Sequence, residues 1–397
     1  MKPSATSLCL VALLVGLVVA PSAAGGGASA VIHGSQGARF EGLGFGGGHF
    51  WWTTPHAVDD SGQTVVGIGG RSEDGYLEAW RWTRGRGTEG LGDLPGWDGG
   101  SDAAFESSAN AISGNGRVIV GEGQSDYGDE AWLWTRAWGL VPLGFIGGAY
   151  PPSWAMGVSR HGWVVVGSSD SPAGFQAFYW TPWTGMIGLG TLGGTIFESH
   201  AYGVSAYGNV VVGQSHGPNG WEAFRWTPRT GMVGLGQLNG STTTAARAVS
   251  ADGQTIIGTA RFSSPIRYEA FRWTAAGGME GLGDLPGGNT ISQADGVSGD
   301  GSIVVGASED SNPYGMGDAF IWDRTHGMRH LQTVLQEEYG LEVSPWVLRR
   351  AYAITPDGRT IVGDGTNPEG ENETWRVYLP PPPRRPWWAG GLRFLKR

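Results

Sequence analysis

The fold class this sequence predicts is a seven-bladed β-propeller, and three observations predict it. A phrase of about 46 residues recurs seven times, each copy divides into four strand-sized pieces, and the two ends of the repeat region carry complementary fragments of one copy. Four short strands per 40–50 residues is the period of a propeller blade.

The first piece of each copy runs into the second through a tight turn, as in "AVDDSGQTVVG", "AISGNGRVIVG", "GVSRHGWVVVG" and "AVSADGQTIIG". Asp-Gly between apolar runs marks a hairpin. The closing glycines are Gly67, Gly121, Gly167, Gly213, Gly258, Gly306 and Gly363, at intervals of 54, 46, 46, 45, 48 and 57 residues. Runs such as "RVIVG" are apolar on both faces, as strands covered on both sides must be. The third piece is "EAWRWT", "EAWLWT", "QAFYWT", "EAFRWT" (twice), "DAFIWD" and a worn "ETWRVY". Here Phe271 and Trp273 share one face and Ala270 and Arg272 the other, a period of two. The fourth piece is "GLGDLPG" and its variants. The longest and most variable link follows it, so the blade boundary belongs there. "AxxVS" is then innermost and "GLGxL" outermost.

The region opens on an isolated "RFEGLGFGGG" (Arg39–Gly48) and closes on "ETWRVYL" with no "GLG" after it. An orphan outer strand and a blade lacking one complement each other, and pairing them removes two open sheet edges. Between Trp322 and Tyr352 an insertion predicts a short helix near 331–339. The expected domains are a signal peptide over 1–24, a flexible leader over 25–38, the propeller over 39–379 and a Pro-rich, basic disordered tail over 380–397. The signal reading rests on Lys2, the apolar run Leu8–Ala20 and the small residues before Ala24. It implies a secreted, extracellular or periplasmic chain.

Composition narrows the function. The chain has 397 residues, 72 of them Gly and 20 Trp, with a net charge of −10. Apart from Lys2 and five cations in the tail, 20 basic residues face 36 acidic ones, a poor balance for nucleic acid. The one cysteine, Cys9, lies in the signal segment, so a processed chain has no disulfide and relies on its core. No later run is long enough to cross a membrane as a helix.

The phrases [EQD]-A-[FW]-x-W-T, G-L-G-x-L-x-G and V-S-x-D-G-x-x-V-V-G resemble the HAF-repeat family of probable bacterial extracellular repeat proteins, across roughly residues 40–379. The resemblance implies export and a repeat scaffold, and no reaction. The family's His stands here as Glu78, Glu130, Gln176, Glu222, Glu269 and Asp318. The Pro-Glu-Pro sorting tail of many relatives is absent from this sequence.

Motif matches that suggest chemistry each meet a plainer reading. "GQSHG" (Gly213–Gly217) fits G-x-S-x-G but follows a blade strand, with no strand–turn–helix elbow. "GLGFGG" (Gly42–Gly47) and "GLGTLG" (Gly188–Gly193) fit G-x-G-x-x-G with no helix after them. His326 and His330 have metal-ligand spacing and no third ligand nearby. The acids opening the third strands, Glu373 included, form a ring that suits a cation, or that accepts hydrogen bonds within each blade. Repetition in every blade favours the second. The loop acids Asp98, Asp102, Asp126 and Asp170 form no convincing pair.

The expected function is therefore an exported, non-catalytic scaffold that acts as a monomer, without cofactor or metal, on a glycan, peptide or surface partner. Its expected ligand face carries the inter-blade loops with Trp97, Tyr127, Tyr150, Trp221 and Tyr314, since loop aromatics stack on sugars and peptides. The alternatives are a glycan hydrolase or lyase, and a surface-layer or adhesive structural protein.

Overall fold

The computed structural model describes residues 31–94, 106–148, 152–287, 291–309 and 317–381. Six four-stranded antiparallel sheets and one five-stranded sheet stand in a ring, so the fold is a seven-bladed β-propeller. The inner strands, blade 1 to blade 7, are Phe50–Val58, Ser108–Ile112, Ser153–Val158, Ser199–Val204, Thr243–Val249, Ser292–Val297 and Val347–Ile354. In blades 1 to 6 the strands neighbour one another in chain order, with "GLG" outermost as the loop lengths predict.

Each conserved-looking letter of the phrase answers one packing problem. The aromatic residues Trp80, Trp132, Phe178, Phe224, Phe271, Phe320 and Trp375 are fully buried between blades. Each contributes about 2–3 kcal/mol by leaving water. The glycine closing "VVG" lies hard against the inner strand: a Cβ on Gly121 would sit 1.8 Å from the Ser108 carbonyl oxygen, and one on Gly213 1.9 Å from that of His200. Only glycine permits that approach.

The third-strand acids hold the outer strands. Glu78 accepts a hydrogen bond from the Gly92 N–H (2.9 Å), Glu130 from Gly144 (3.1 Å), Gln176 from Gly190 (3.2 Å) and Glu222 from Gly236 (2.7 Å). The first glycine of "GLG" makes room for the carboxyl: a Cβ on Gly234 would fall 2.2 Å from Glu222 Oε1. Asp318, one carbon shorter, lies instead 3.9 Å from His330. The ring of acids thus serves the blades from within.

A hydroxyl then latches each of blades 2 to 6 to the one before. Ser199 Oγ accepts from the Ala177 N–H (2.9 Å) and donates to the Gly190 carbonyl (2.6 Å). Ser107, Ser153, Thr244 and Ser292 repeat the contact.

The seam closes as the chain ends predict. Strand Arg39–Gly42 pairs antiparallel with Asn372–Tyr378, Phe40 opposite Val377 and Gly42 opposite Trp375. Glu373 accepts from the Gly44 N–H at 2.8 Å, the contact of the other blades now made between distant parts of the chain. Arg376, 2% exposed, binds Glu41 Oε1 (2.5 Å) and the Gly62 carbonyl (2.6 Å). Burial lowers its pKa, and Glu41 works against that.

The expected leader proves part of the fold over its last residues. Ile32–His33 adds a fifth strand beyond Arg39–Gly42, and Ser35–Gly37 forms a 3-10 turn. Ser35 Oγ donates to the Tyr339 carbonyl at 2.9 Å. That carbonyl ends the inserted helix Leu331–Tyr339, which stands where the sequence predicts it and stops at Gly340 in the left-handed region. Its buried residues Leu331, Val334 and Leu335 join the blade 7 core. The signal segment and the basic tail lie outside the described residues. Among the described residues, no helix is long and apolar enough to cross a membrane.

Candidate functional site

Every inner strand carries a β-bulge at the same place. The register slips between Pro55 and Ala57, Ala109 and Ala111, Ala155 and Gly157, Ala201 and Gly203, Ala246 and Ala248, Ala294 and Gly296, and Ala351 and Ala353. A bulge re-aims the extra residue out of the ladder. The residues so placed around the axis are His56, Asn110, Met156, Tyr202, Arg247, Asp295 and Tyr352. Where the blade-building positions repeat, these differ.

Neighbouring bulge residues touch across the blades. The His56 and Tyr352 rings lie 6.3 Å apart, and Asn110 Nδ2 reaches the Ala155 carbonyl at 3.0 Å and Met156 Sδ at 3.5 Å. Arg247 stacks over the Tyr202 ring at 5.0 Å. Two residues before the bulge, Arg350 binds Asp295 through two nitrogens (2.9 and 2.6 Å) and Gln293 at 3.3 Å.

Blades 7, 1 and 2 make a polar arc with shifted pKa values. Asp364, on the second strand of blade 7, meets Thr54 Oγ1 at 3.3 Å and the Tyr352 hydroxyl at 3.5 Å. Burial pushes its pKa up to about 6, against the pull of Arg350. Glu122, the matching residue of blade 2, accepts from Asn110 Nδ2 at 2.9 Å. Burial raises it to about 7, and Asn110 offsets part of the rise. Burial lowers His56, whose Nδ1 lies 3.1 Å from the Ala109 carbonyl. Tyr352 is raised well above its ordinary value by burial and by Asp364. Burial presses against the charge of Arg350, but Asp295, Tyr352 and Asp364 outweigh it and raise its pKa.

Blades 3 and 4 make an aromatic arc. Trp154 packs on Phe175 (5.0 Å), Phe175 on His200 (5.2 Å), and His200 on Trp221 (5.9 Å). His200, 5% exposed, is fixed by Ser168 Oγ on Nδ1 (3.2 Å) and Glu198 on Nε2 (3.1 Å), and lies parallel to Tyr202 at 6.2 Å. The inner strands begin on the face that bears the inter-blade links and the second-to-third-strand hairpins, so both arcs line the channel mouth on that face.

Of the five aromatic residues expected to bind, Trp97, Tyr150 and Tyr314 lie outside the described residues. Tyr127 and Trp221 belong to second-to-third-strand hairpins rather than to inter-blade loops, because blades 2 and 4 extend that hairpin. Tyr127 is exposed at a hairpin tip, and Trp221 joins the aromatic arc. The motif matches resolve into structure: Ser215 of "GQSHG" is buried in its strand, accepting from the Leu192 N–H (3.0 Å) and donating to the Glu198 carbonyl (3.2 Å). His326 binds the carboxylate of Asp323 at 2.9 Å. Turn aspartates such as Asp252 accept from their own turn, here the Gln254 N–H at 2.9 Å. Among the described residues, no group of three or more His, Cys, Asp or Glu side chains is placed to hold a metal ion.

The site residues that the sequence left unremarked include His56, Asn110, Glu122 and Asp364 of the polar arc and Trp154, Phe175 and His200 of the aromatic arc. Aligning the repeats on "AxxVS" and asking which column varies in chemistry finds the bulge positions.

No protein-family model and no curated protein matches the chain. Among solved structures, an oligogalacturonate lyase in complex with manganese aligns with a TM-score of 0.54 at 11% identity, over 90% of this chain and 97% of its own. An oligogalacturonate lyase from Vibrio parahaemolyticus gives 0.53 at 11% identity, over 90% and 99%. TolB from Acinetobacter baumannii aligns at 0.47 and 14% identity over 66% of this chain, which spans 62% of the TolB chain. At these identities the likeness concerns the fold alone.

Proposed function

We propose that this protein is an exported, non-catalytic scaffold of the HAF-repeat kind that binds a carbohydrate at the mouth of its central channel. The observation that carries the reading is the meeting, on one face, of an aromatic arc (Trp154, Phe175, His200, Trp221) with a polar arc (Thr54, His56, Asn110, Glu122, Asp364). Aromatic faces stack on the C–H faces of a sugar ring, while amide, carboxyl and hydroxyl groups exchange hydrogen bonds with its hydroxyls. Both arcs stand on or beside inner strands, and hydroxyl latches tie blades 2 to 6 each to the blade before. Export is supported by the signal-like start of the sequence.

A glycan array followed by product analysis tests the reading. Binding without turnover, reduced at least tenfold by Trp154→Ala or Trp221→Ala at unchanged Tm, supports it. Absence of binding to any glycan removes it.

A second reading is catalysis on a glycan. It is favoured by the placement of two carboxyls with raised pKa, Glu122 and Asp364, on either side of His56, since shifted groups cluster at reactive sites. Both similar solved structures named above with TM-scores over 0.5 are lyases. Release of shortened oligosaccharides, abolished by Glu122→Gln or Asp364→Asn, would decide for this reading.

A further inference from the structure

The channel mouth holds more charged groups than a neutral sugar needs, and nearly all of them are matched. Arg350 is paired bidentately with Asp295. His200 sits between Glu198 and Ser168. Arg247 differs. It occupies the blade 5 bulge, it is exposed, and its guanidinium lies over the face of Tyr202 at 5.0 Å. Among the described residues no carboxylate lies in ion-pair reach of it.

Its position is also informative. Tyr202 is stacked parallel to His200, which in turn meets Trp221. A sugar ring lying against the half-buried Trp221, with the buried His200 behind it, would present one edge toward blade 5, where Arg247 stands. A guanidinium already resting on an aromatic face keeps its fork of N–H donors free at the edge, and that fork matches a planar carboxylate.

We propose that Arg247 reads a carboxylate on the bound sugar, so that the channel mouth takes uronic-acid-bearing glycans in preference to neutral ones. This rests on the carbohydrate reading above and adds the charge class. Charge around the mouth agrees with it. Burial favours the neutral forms of Glu122 and Asp364, and Asp295 is spent on Arg350, so the nearby acids oppose an incoming anion less than their number suggests. An acidic protein with a net charge of −10 would otherwise repel such a ligand.

The test is titration calorimetry of the full chain with a uronic-acid oligosaccharide and with its carboxyl-reduced, neutral counterpart. The wild type is expected to bind the acidic oligomer at least tenfold more tightly. Arg247→Gln is expected to abolish that ratio while leaving the affinity for the neutral oligomer within about twofold, and Arg247→Lys to keep part of it. Equal affinities of the wild type for the two oligomers, or an acid preference that survives in Arg247→Gln, overturns the role of Arg247 and leaves carbohydrate binding standing. Failure of both oligomers to bind overturns the role of Arg247, and with no glycan bound on the array it overturns the carbohydrate reading as well.

Discussion

Two rings of seven residues run around this molecule, and they have diverged in opposite ways. The ring at the start of the third strands holds five Glu, one Gln and one Asp, and in most blades the group ties down its own outer strand. The ring at the inner-strand bulges holds His, Asn, Met, Tyr, Arg, Asp and Tyr. Both rings come from the same repeat, so the difference reflects what each position must satisfy. A blade-internal contact presents the same geometry seven times and accepts the same kind of residue, Glu in five blades and a close relative in two. A bulge residue faces the shared axis, where one asymmetric ligand meets each blade differently. In a repeat protein, sameness marks the scaffold and unlikeness marks the place of use.

That contrast breaks most visibly at the seam. Glu373→Ala removes the acceptor of the Gly44 N–H and of Asn367 Nδ2 (2.9 Å) in a site 1% exposed. The expected loss is about 3 kcal/mol, read as a lower denaturant midpoint. An unchanged midpoint would deny the acid ring its structural role.

A smaller effect should come from the channel acids, and it should depend on pH. Glu122 has a folded pKa of about 7 against 4.5 in its ordinary state, and Asp364 about 6 against 3.8. Raised carboxyl pKa values mean that the folded state holds its protons more tightly. Their contribution is therefore full below pH 4 and is lost as pH climbs through 6 and 7. The melting temperature should fall between pH 5 and pH 8, and Glu122→Gln should flatten that fall. A variant with the wild-type slope would show that Glu122 titrates normally.

The smallest effect belongs to a bulge residue with no charge. Met156 is only partly buried, so Met156→Ala should cost under about 1 kcal/mol in the same unfolding measurement. A loss as large as that of Glu373→Ala would erase the distinction between the two rings.

The scaffold was legible in the sequence because each of its demands recurs. Seven copies of the closing glycine and the buried aromatic residue, with an acid in six of the seven blades, pointed to blade count, strand order and the pairing of residues 40–44 with 373–379, while the register that sets Phe40 opposite Val377 came from the structure. The helix at Leu331–Tyr339 stood out as the insertion that broke the period. The channel site was much less legible. No glycine or proline marks the bulge in "AxxVS", so only the chemical variability of that column, read across all seven copies, points to it. Glu122 and Asp364 were hidden because they follow "VIVG" and "TIVG", where other blades carry Ile68, Ser168 or Thr259. Trp221 was found as a loop aromatic, but its partner His200 lay in a strand and drew no attention.

The seam has a bearing on how the protein is presented. The edge strand Ile32–His33 and the strand ending at Tyr378 both belong to the outer half of blade 7. A tether attached at either end of the described chain would therefore grip the same patch of rim.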